Sequence, residues 1–238
     1  NLAKTIYDYW FVQFDFPDEN GKPYKSSGGK MVYNQELKRE IPAGWEVVKI
    51  SKLIDVTDGT HDSPKPSNKG FHLITSKHLS KRGIDFNSAY LISEYDYINI
   101  NKRSQVEQND ILISMIGTIG ETYFVKESTI NFAIKNIGLL KTSQSSELAE
   151  LIYLYINSHY GKQYFTSNIC GSIQNYLTLG ILRKISLIIP KDTILISFNS
   201  TVKPIYSKIH LNNQENQQLT QLRDWLLPML MNGQITVK

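Results

Sequence analysis

The C-terminal segment constrains this chain most. Phe198, Val202, Ile205, Ile209, Leu219, Leu222 and Leu226 recur at helical spacing over about thirty residues, which predicts one long helix with a single apolar stripe. Such a helix buries little of itself, so it needs a partner, either elsewhere in the chain or on a second copy. Pro204 is expected to start its main part or to kink it, and Pro228 to end or bend it. Asn212 and Asn216 fall on the stripe. They read either as a buried polar pair that sets register between packed helices or as a locally solvated seam.

The preceding residues have a different rhythm. From Trp45 to about Leu140, short runs rich in β-branched and aromatic residues alternate with turn residues: Glu46 to Ile50, Phe71 to Ile74, Ala89 to Ile92, Asp110 to Ile116, Glu121 to Val125 and Asn136 to Lys141. Ser146 is placed to cap a helix in which Leu148, Leu151, Ile152, Tyr155 and Ile156 share a face, ending near Gly161 or a turn later. A loop from Cys170 to Thr178 and a last strand, Ile185 to Ile189, stopped by Pro190, complete this part. At the other end, Leu2, Ile6, Tyr9, Trp10, Gln13 and Phe14 read as the end of a helix that Phe16-Pro17 stops. The Gly/Pro/Ser/Lys-rich stretch from Asp18 to Lys30 reads as a linker or exposed loop. Leu2 to Trp10 and Leu222 to Leu227 resemble each other weakly, a slight hint of an internal repeat in a longer parent.

Composition narrows the setting. With Cys170 the one cysteine of 238 residues, no intramolecular disulfide can form, and a reducing, cytoplasmic setting is expected. No apolar run approaches the roughly eighteen residues of a membrane span, and the chain starts without an initiator methionine or a signal-peptide pattern. The net charge of +4 is mild, but its distribution is informative. Between His61 and Gly83, Lys65, Lys69, Lys77, Lys81 and Arg82 face only Asp62, and from Leu151 to Lys191 there is no acid. These segments read either as one phosphate-holding surface or as two solvated loops.

Catalytic chemistry is not apparent, and neither a cofactor nor a metal is expected. Gly117-Thr118-Ile119-Gly120 is the nearest approach to a cofactor-cradling pattern and reads better as a tight turn between strands. Asp18 and Glu19 with Lys22 mimic a metal-nuclease cluster, yet they lie in a loop context with no second carboxylate group. The five histidines lack zinc-ligand spacing, and Cys170 has no base beside it in sequence. Base edges, in contrast, are read by amide, hydroxyl and cationic groups on loops held by a rigid scaffold. The first such loop, Thr57 to Pro66, offers Thr60, His61, Ser63 and Lys65 and is stiffened by two prolines, Pro64 and Pro66. The second, Gly171 to Tyr176, offers Ser172, Gln174 and Asn175. Each is otherwise an ordinary turn. Thr118 joins the candidates from its own turn.

Taken in order, Ile41-Pro42-x-Gly44-Trp45-Glu46, Asp58-Gly59-Thr60-His61-x-Ser63-Pro64, Asp110-Ile111-Leu112-Ile113-Ser114-x-x-Gly117-Thr118-Ile119-Gly120, Gly171-Ser172-x-Gln174 and Leu222-Arg223-Asp224-x-Leu226-Leu227-Pro228 resemble a type I restriction-modification specificity subunit. That resemblance implies two target-recognition domains separated by long helices, each domain reading half of a split DNA site, and this chain is similar to the second half. The implied fold is α+β: a β-rich recognition domain with a few helices, and a long C-terminal helix packing in antiparallel coiled-coil fashion. Residues 1–40 would be the tail of a preceding helix and a linker, 41–192 the recognition domain, and 193–238 the spacer and dimerisation helix. The implied partners are double-stranded DNA, a methyltransferase subunit, a restriction endonuclease subunit and a second copy met through the long helix, with catalysis left to the other subunits. The competing reading is a protein-interaction or assembly module whose basic loops are incidental.

Overall fold

The computed structural model describes residues 2–80, 83–171 and 175–234. Helix α1 (Leu2–Tyr7) runs into a π turn (Asp8–Val12). A hairpin of β1 (Met31–Asn34) and β2 (Arg39–Pro42) follows, then β3 (Glu46–Lys49), β4 (Val56–Asp58), β5 (Phe71–Ile74), β6 (Leu79–Ser80), β7 (Gly83–Ile84), β8 (Leu91–Ile92) and α2 (Glu94–Ser104). Next come β9 (Ile111–Ser114), β10 (Thr122–Phe124), β11 (Phe132–Ile134) and β12 (Ile137–Leu140), then α3 (Ala149–Asn157), α4 (His159–Asn168), α5 (Leu179–Arg183), β13 (Ser186–Ile189) and α6 (Asp192–Met231). This is the expected α+β mixture with its long terminal helix.

A four-stranded sheet in the order β10-β9-β12-β4 lies at the centre and is antiparallel throughout. Its strands β9 and β12 are buried along their whole length, and the period-two rule divides their side chains between two cores. Ile111, Ile113 and Leu140 face the larger core, whereas Leu112, Ile137 and Leu139 face a second one shared with Ile74, Phe132 and Ile134. The latter come from a three-stranded sheet, β11-β5-β8, in which β11 and β5 run parallel. Only Lys135 and Asn136 connect β11 to β12, so one tight link joins the two sheets around that shared core.

The N-terminal segment enters the larger core. Phe11, Phe14 and Phe16 pack around Trp45 at ring-centroid distances of 5.4, 5.8 and 4.9 Å, and Trp10 and Phe11 meet Phe198 of α6 at 5.7 and 4.8 Å. Each such aromatic pair adds about 0.5–1.5 kcal/mol beyond area burial. The loop that follows is exposed, as expected, and is tied back where Asp15 accepts from the Ser26 amide (2.7 Å) and hydroxyl (2.6 Å). Those two bonds hold the Asp15 carboxyl below the usual range. Asp18 spends its carboxylate on the Asn20 and Lys22 amides, each at 2.8 Å, so it closes a turn.

Three local expectations are corrected. Ser146 does not cap α3: a 3₁₀ turn (Thr142–Ser145) precedes it, and Leu148 occupies the cap position without a side-chain bond. The helix expected to run to about Gly161 breaks at Ser158, whose hydroxyl accepts from the Gly161 amide at 3.2 Å and starts α4. Pro204 does not start the long helix, which begins at Asp192 and continues past it. Of the apolar stripe, Phe198 and Val202 are buried and Ile205 half-buried, whereas Ile209, Asn212, Asn216, Leu219 and Leu222 are exposed and Leu226 is half-covered. The turns of α6 up to Tyr206 thus pack into the domain, where Tyr206 meets Phe124 and Tyr153, and further along the helix Gln217 still lies beside Gly83.

Candidate nucleic-acid interface

Strand register decides where the candidate loops emerge. Asp58, the last residue of β4, stands opposite Gly138; Ile137, the first residue of β12, stands opposite Ser114, the last of β9; and Ile113 stands opposite Thr122, the first of β10. The loop after β4, the link before β12 and the turn between β9 and β10 therefore leave from one end of the sheet. The second predicted loop joins them, because Ile116 bridges to Tyr176 and the Leu177 amide donates to the Met115 carbonyl at 2.8 Å. Thr118 and Asn175 are both exposed there. Gly117 (φ +77°) and Gly120 (φ +79°) supply the left-handed backbone that the turn carrying Thr118 requires.

The first loop is pinned along its length. The Gly59 amide donates to Ile137 O (2.9 Å), the Thr60 amide to Ile134 O (3.0 Å), and the Asn136 amide to Thr60 O (3.1 Å). A β-carbon on Gly59 would fall 2.3 Å from the Ile134 carbonyl oxygen, so only glycine permits this approach. The Thr60 hydroxyl accepts from the Asp62 amide at 3.1 Å, Lys135 Nζ donates to the Ser63 hydroxyl, and Tyr90 Oη donates to Pro64 O at 3.3 Å. Beneath the loop lies Asp58, whose side chain is only 6% exposed. His61 Nε2 stands 3.0 Å from Asp58 Oδ2, and its Nδ1 stands 2.7 Å from Asn136 Oδ1.

The predicted cations divide. Lys65 is exposed on the first loop, and Lys77 is exposed on a 3₁₀ turn (Ser76–His78) directly after β5, at the end that Ile134↔Ile74 pairing shares with the Lys135-Asn136 link. His78 secures that turn by accepting from the Thr75 amide at 3.0 Å through Nδ1. Burial, with Lys77 beside it, holds the His78 pKa below its ordinary value, which keeps the ring neutral and able to accept. Lys69 is exposed but precedes β5, so about 10 Å of strand separates it from Lys77. Lys81, Arg82, Ser172 and Gln174 lie outside the described residues.

Three groups at this end were not anticipated: Arg103 at the end of α2, and Lys135 and Asn136. The signal for the last two was a Lys-Asn pair between two apolar runs, with Asn tolerant of the left-handed backbone it adopts here (φ +54°). Arg183 extends the basic surface from the acid-poor segment, donating through Nε (3.2 Å) and Nη2 (2.7 Å) to Val56 O on the outer edge of β4. This contact sets the second acid-poor segment against the first residue of β4, ahead of the first acid-poor segment in the chain. Among the described residues no group of three His, Cys, Asp or Glu is placed to hold a metal, and no helix is long and apolar enough to cross a membrane.

Residues 42–221 match the model of the type I restriction modification DNA specificity domain, and the chain belongs to that family. The family places it among recognition components of restriction-modification systems rather than their catalytic ones. The chain is 26% identical to the MjaIX specificity subunit of Methanocaldococcus jannaschii over all of its own length and 53% of that protein. It is 27% identical to the HindI specificity subunit of Haemophilus influenzae, over 82% of this chain and 42% of that one. The chain thus spans about half the length of the curated relatives it matches. Among solved structures, the S subunit of a type I restriction-modification system from M. genitalium has a similar fold, with a TM-score of 0.55 at 13% identity over 95% of this chain and 53% of that one. A chain from a type I R-M assembly shows the same likeness, with a TM-score of 0.51 at 14% identity over 96% of this chain and 50% of that one.

Proposed function

We propose that the chain is a sequence-specific DNA reader that recognises one half of a bipartite site for a type I restriction-modification complex. Residues 41–192 would form the recognition domain, with residues 1–40 and 193–238 flanking it. The supporting observation is the convergence of four connecting segments, bearing Thr60, Lys65, Lys77, Thr118 and Asn175, at one end of the two linked sheets. Hydroxyl, amide and ammonium groups on pinned loops suit a duplex groove, because little loop entropy is lost on docking. Methylation and cleavage would belong to separate methyltransferase and endonuclease subunits that the complex brings together.

Binding to duplex DNA should fall steeply with salt. Lys65→Ala or Lys77→Ala should weaken binding to all sequences alike, lowering the log–log salt slope by about one for each phosphate left without its cation. Fluorescence anisotropy between low and moderate salt measures this. No binding at low ionic strength, with or without a modification subunit, would favour the reading as an assembly module.

The exposed apolar side chains on the later turns of α6 support a second interaction, an antiparallel pairing with the same helix of another copy. Ile209, Leu219 and Leu222 are exposed on it, and an isolated stripe of this length gains stability only by burial against a partner. Two-fold pairing would restore a two-domain reader. Light scattering should give a dimer that Leu219→Glu with Leu222→Glu converts to monomer. A strict monomer at high concentration eliminates the pairing.

A further inference from the structure

Among the cations at the loop end of the sheet, Arg103 is set apart by what lies behind it. It belongs to the last turn of α2, and its Nη2 donates to Asp58 Oδ1 across forty-five positions of sequence. The two partners are unequally placed: the Arg103 side chain is 57% exposed and that of Asp58 6%. The carboxylate is therefore the seat, and the guanidinium is what faces outward. Asp58 gives its other oxygen to His61 Nε2, and the second ring nitrogen of His61 faces the Asn136 side chain. Whichever atom of the Asn136 amide meets the ring, both imidazole nitrogens are engaged. His61 thus has no ring nitrogen left for a base and acts as a strut of the loop.

Arg103 is in the opposite condition. A guanidinium carries five N–H donors, and among the described residues Arg103 makes no bond other than that to Asp58. Lys65 and Lys77 are exposed point charges suited to phosphates, and Lys135 is tied to Ser63. A planar fork held on one side by a buried acid loses fewer rotamers on docking and keeps its direction. The base whose major-groove edge matches such a fork is guanine, with O6 and N7 as adjacent acceptors.

We propose that Arg103 is a specificity-determining residue that reads a guanine, and that Asp58 is its positioning residue. This rests on the DNA-reading function proposed above. The test is enrichment of duplexes bound by the full chain from a randomised library at low salt, followed by affinity measurements. The wild type should enrich sites with a G·C pair at one position. Arg103→Lys and Arg103→Ala should relax that position alone and weaken binding to the former consensus about ten- to a hundredfold. Arg103→Lys should leave the salt slope unchanged, since its charge persists, and Asp58→Asn should relax the same base position. The Arg103 variants remove an exposed side chain, so they stay informative even where Asp58→Asn fails to fold. A G·C preference that survives both Arg103 variants, or uniform weakening across all sequences with a shallower salt slope, overturns the assignment while DNA reading stands. A wild-type pool without any enriched sequence overturns DNA reading and this inference together.

Discussion

Replacing Glu150 by leucine should cost this fold about 3–5 kcal/mol, the usual penalty for stripping one member from a buried ion pair. The Glu150 side chain is 1% exposed and that of Lys126 15%; Lys126 Nζ donates to Glu150 Oε1 at 2.8 Å and to Asn109 Oδ1 at 2.9 Å, and stands 3.9 Å from the Phe124 ring centroid. Burial already pulls the Lys126 pKa below its ordinary value, and Glu150 opposes that pull. Without the acid the folded-state pKa drops further below the unfolded one, so the unfolded chain binds the proton better. The damage is therefore largest near neutrality and shrinks as pH rises toward the ordinary lysine value. Thermal melts between pH 7 and 10 read both effects, with a fall of about 10 °C expected at the lower pH. The double change Lys126→Met with Glu150→Leu should recover most of the loss, because an apolar pair of similar volume leaves no charge to solvate. A single Glu150→Leu variant as stable as wild type at pH 7 would show that this pair contributes little.

Gly59→Ala should be nearly as severe, for a steric reason. Its methyl would sit 2.3 Å from the Ile134 carbonyl oxygen and 2.8 Å from the Lys135 amide nitrogen, and neither backbone atom can rotate away. Strand β4 or the Lys135-Asn136 link must move, and the Thr60 main-chain bonds to Ile134 and Asn136 go with it. A loss of about 3 kcal/mol follows from overpacking a tight site, or about 6–12 °C in Tm. Hydrogen exchange should show the Thr60 and Asn136 amides losing protection first. Protection and Tm equal to wild type would mean that the loop tolerates a displacement the geometry does not allow.

How far the sequence foretold this depends on the range of the forces involved. Phe71–Ile74 and the β9–β10 pair around Gly117 and Gly120 were legible because apolar runs and turn residues act locally. Helix α2 was missed: Tyr95, Tyr97, Ile98 and Ile100 trace no single stripe, and its face is divided between Phe71, which stacks on Tyr97, and solvent. Its start was nevertheless written locally, in Ser93, whose hydroxyl accepts from the Asp96 amide at 3.1 Å. The β1–β2 hairpin was masked by its exposed Val32 and Tyr33, which give no buried alternation to read. At the loop end of the sheet, the Thr57 to Pro66 loop was foreseen from its own residues. Arg103, Lys135 and Asn136 were not, since their place depends on the parallel register of β5 with β11 and on an ion pair between distant segments.

The pairing of β3 with β13 governs how the polypeptide reaches this state. Ser186 to Ile189 of β13 lie antiparallel to Lys49 to Glu46 of β3, so nearly the whole domain separates two strands that must meet. Pairings this remote slow the search for the native arrangement and postpone it during synthesis. A nascent chain released before β13 would leave β3 with an open hydrogen-bonding edge, and α6, which follows β13 in the chain, is made later still. Closure of the β3–β13 pair and arrival of the long helix are thereby both late events in the making of this chain.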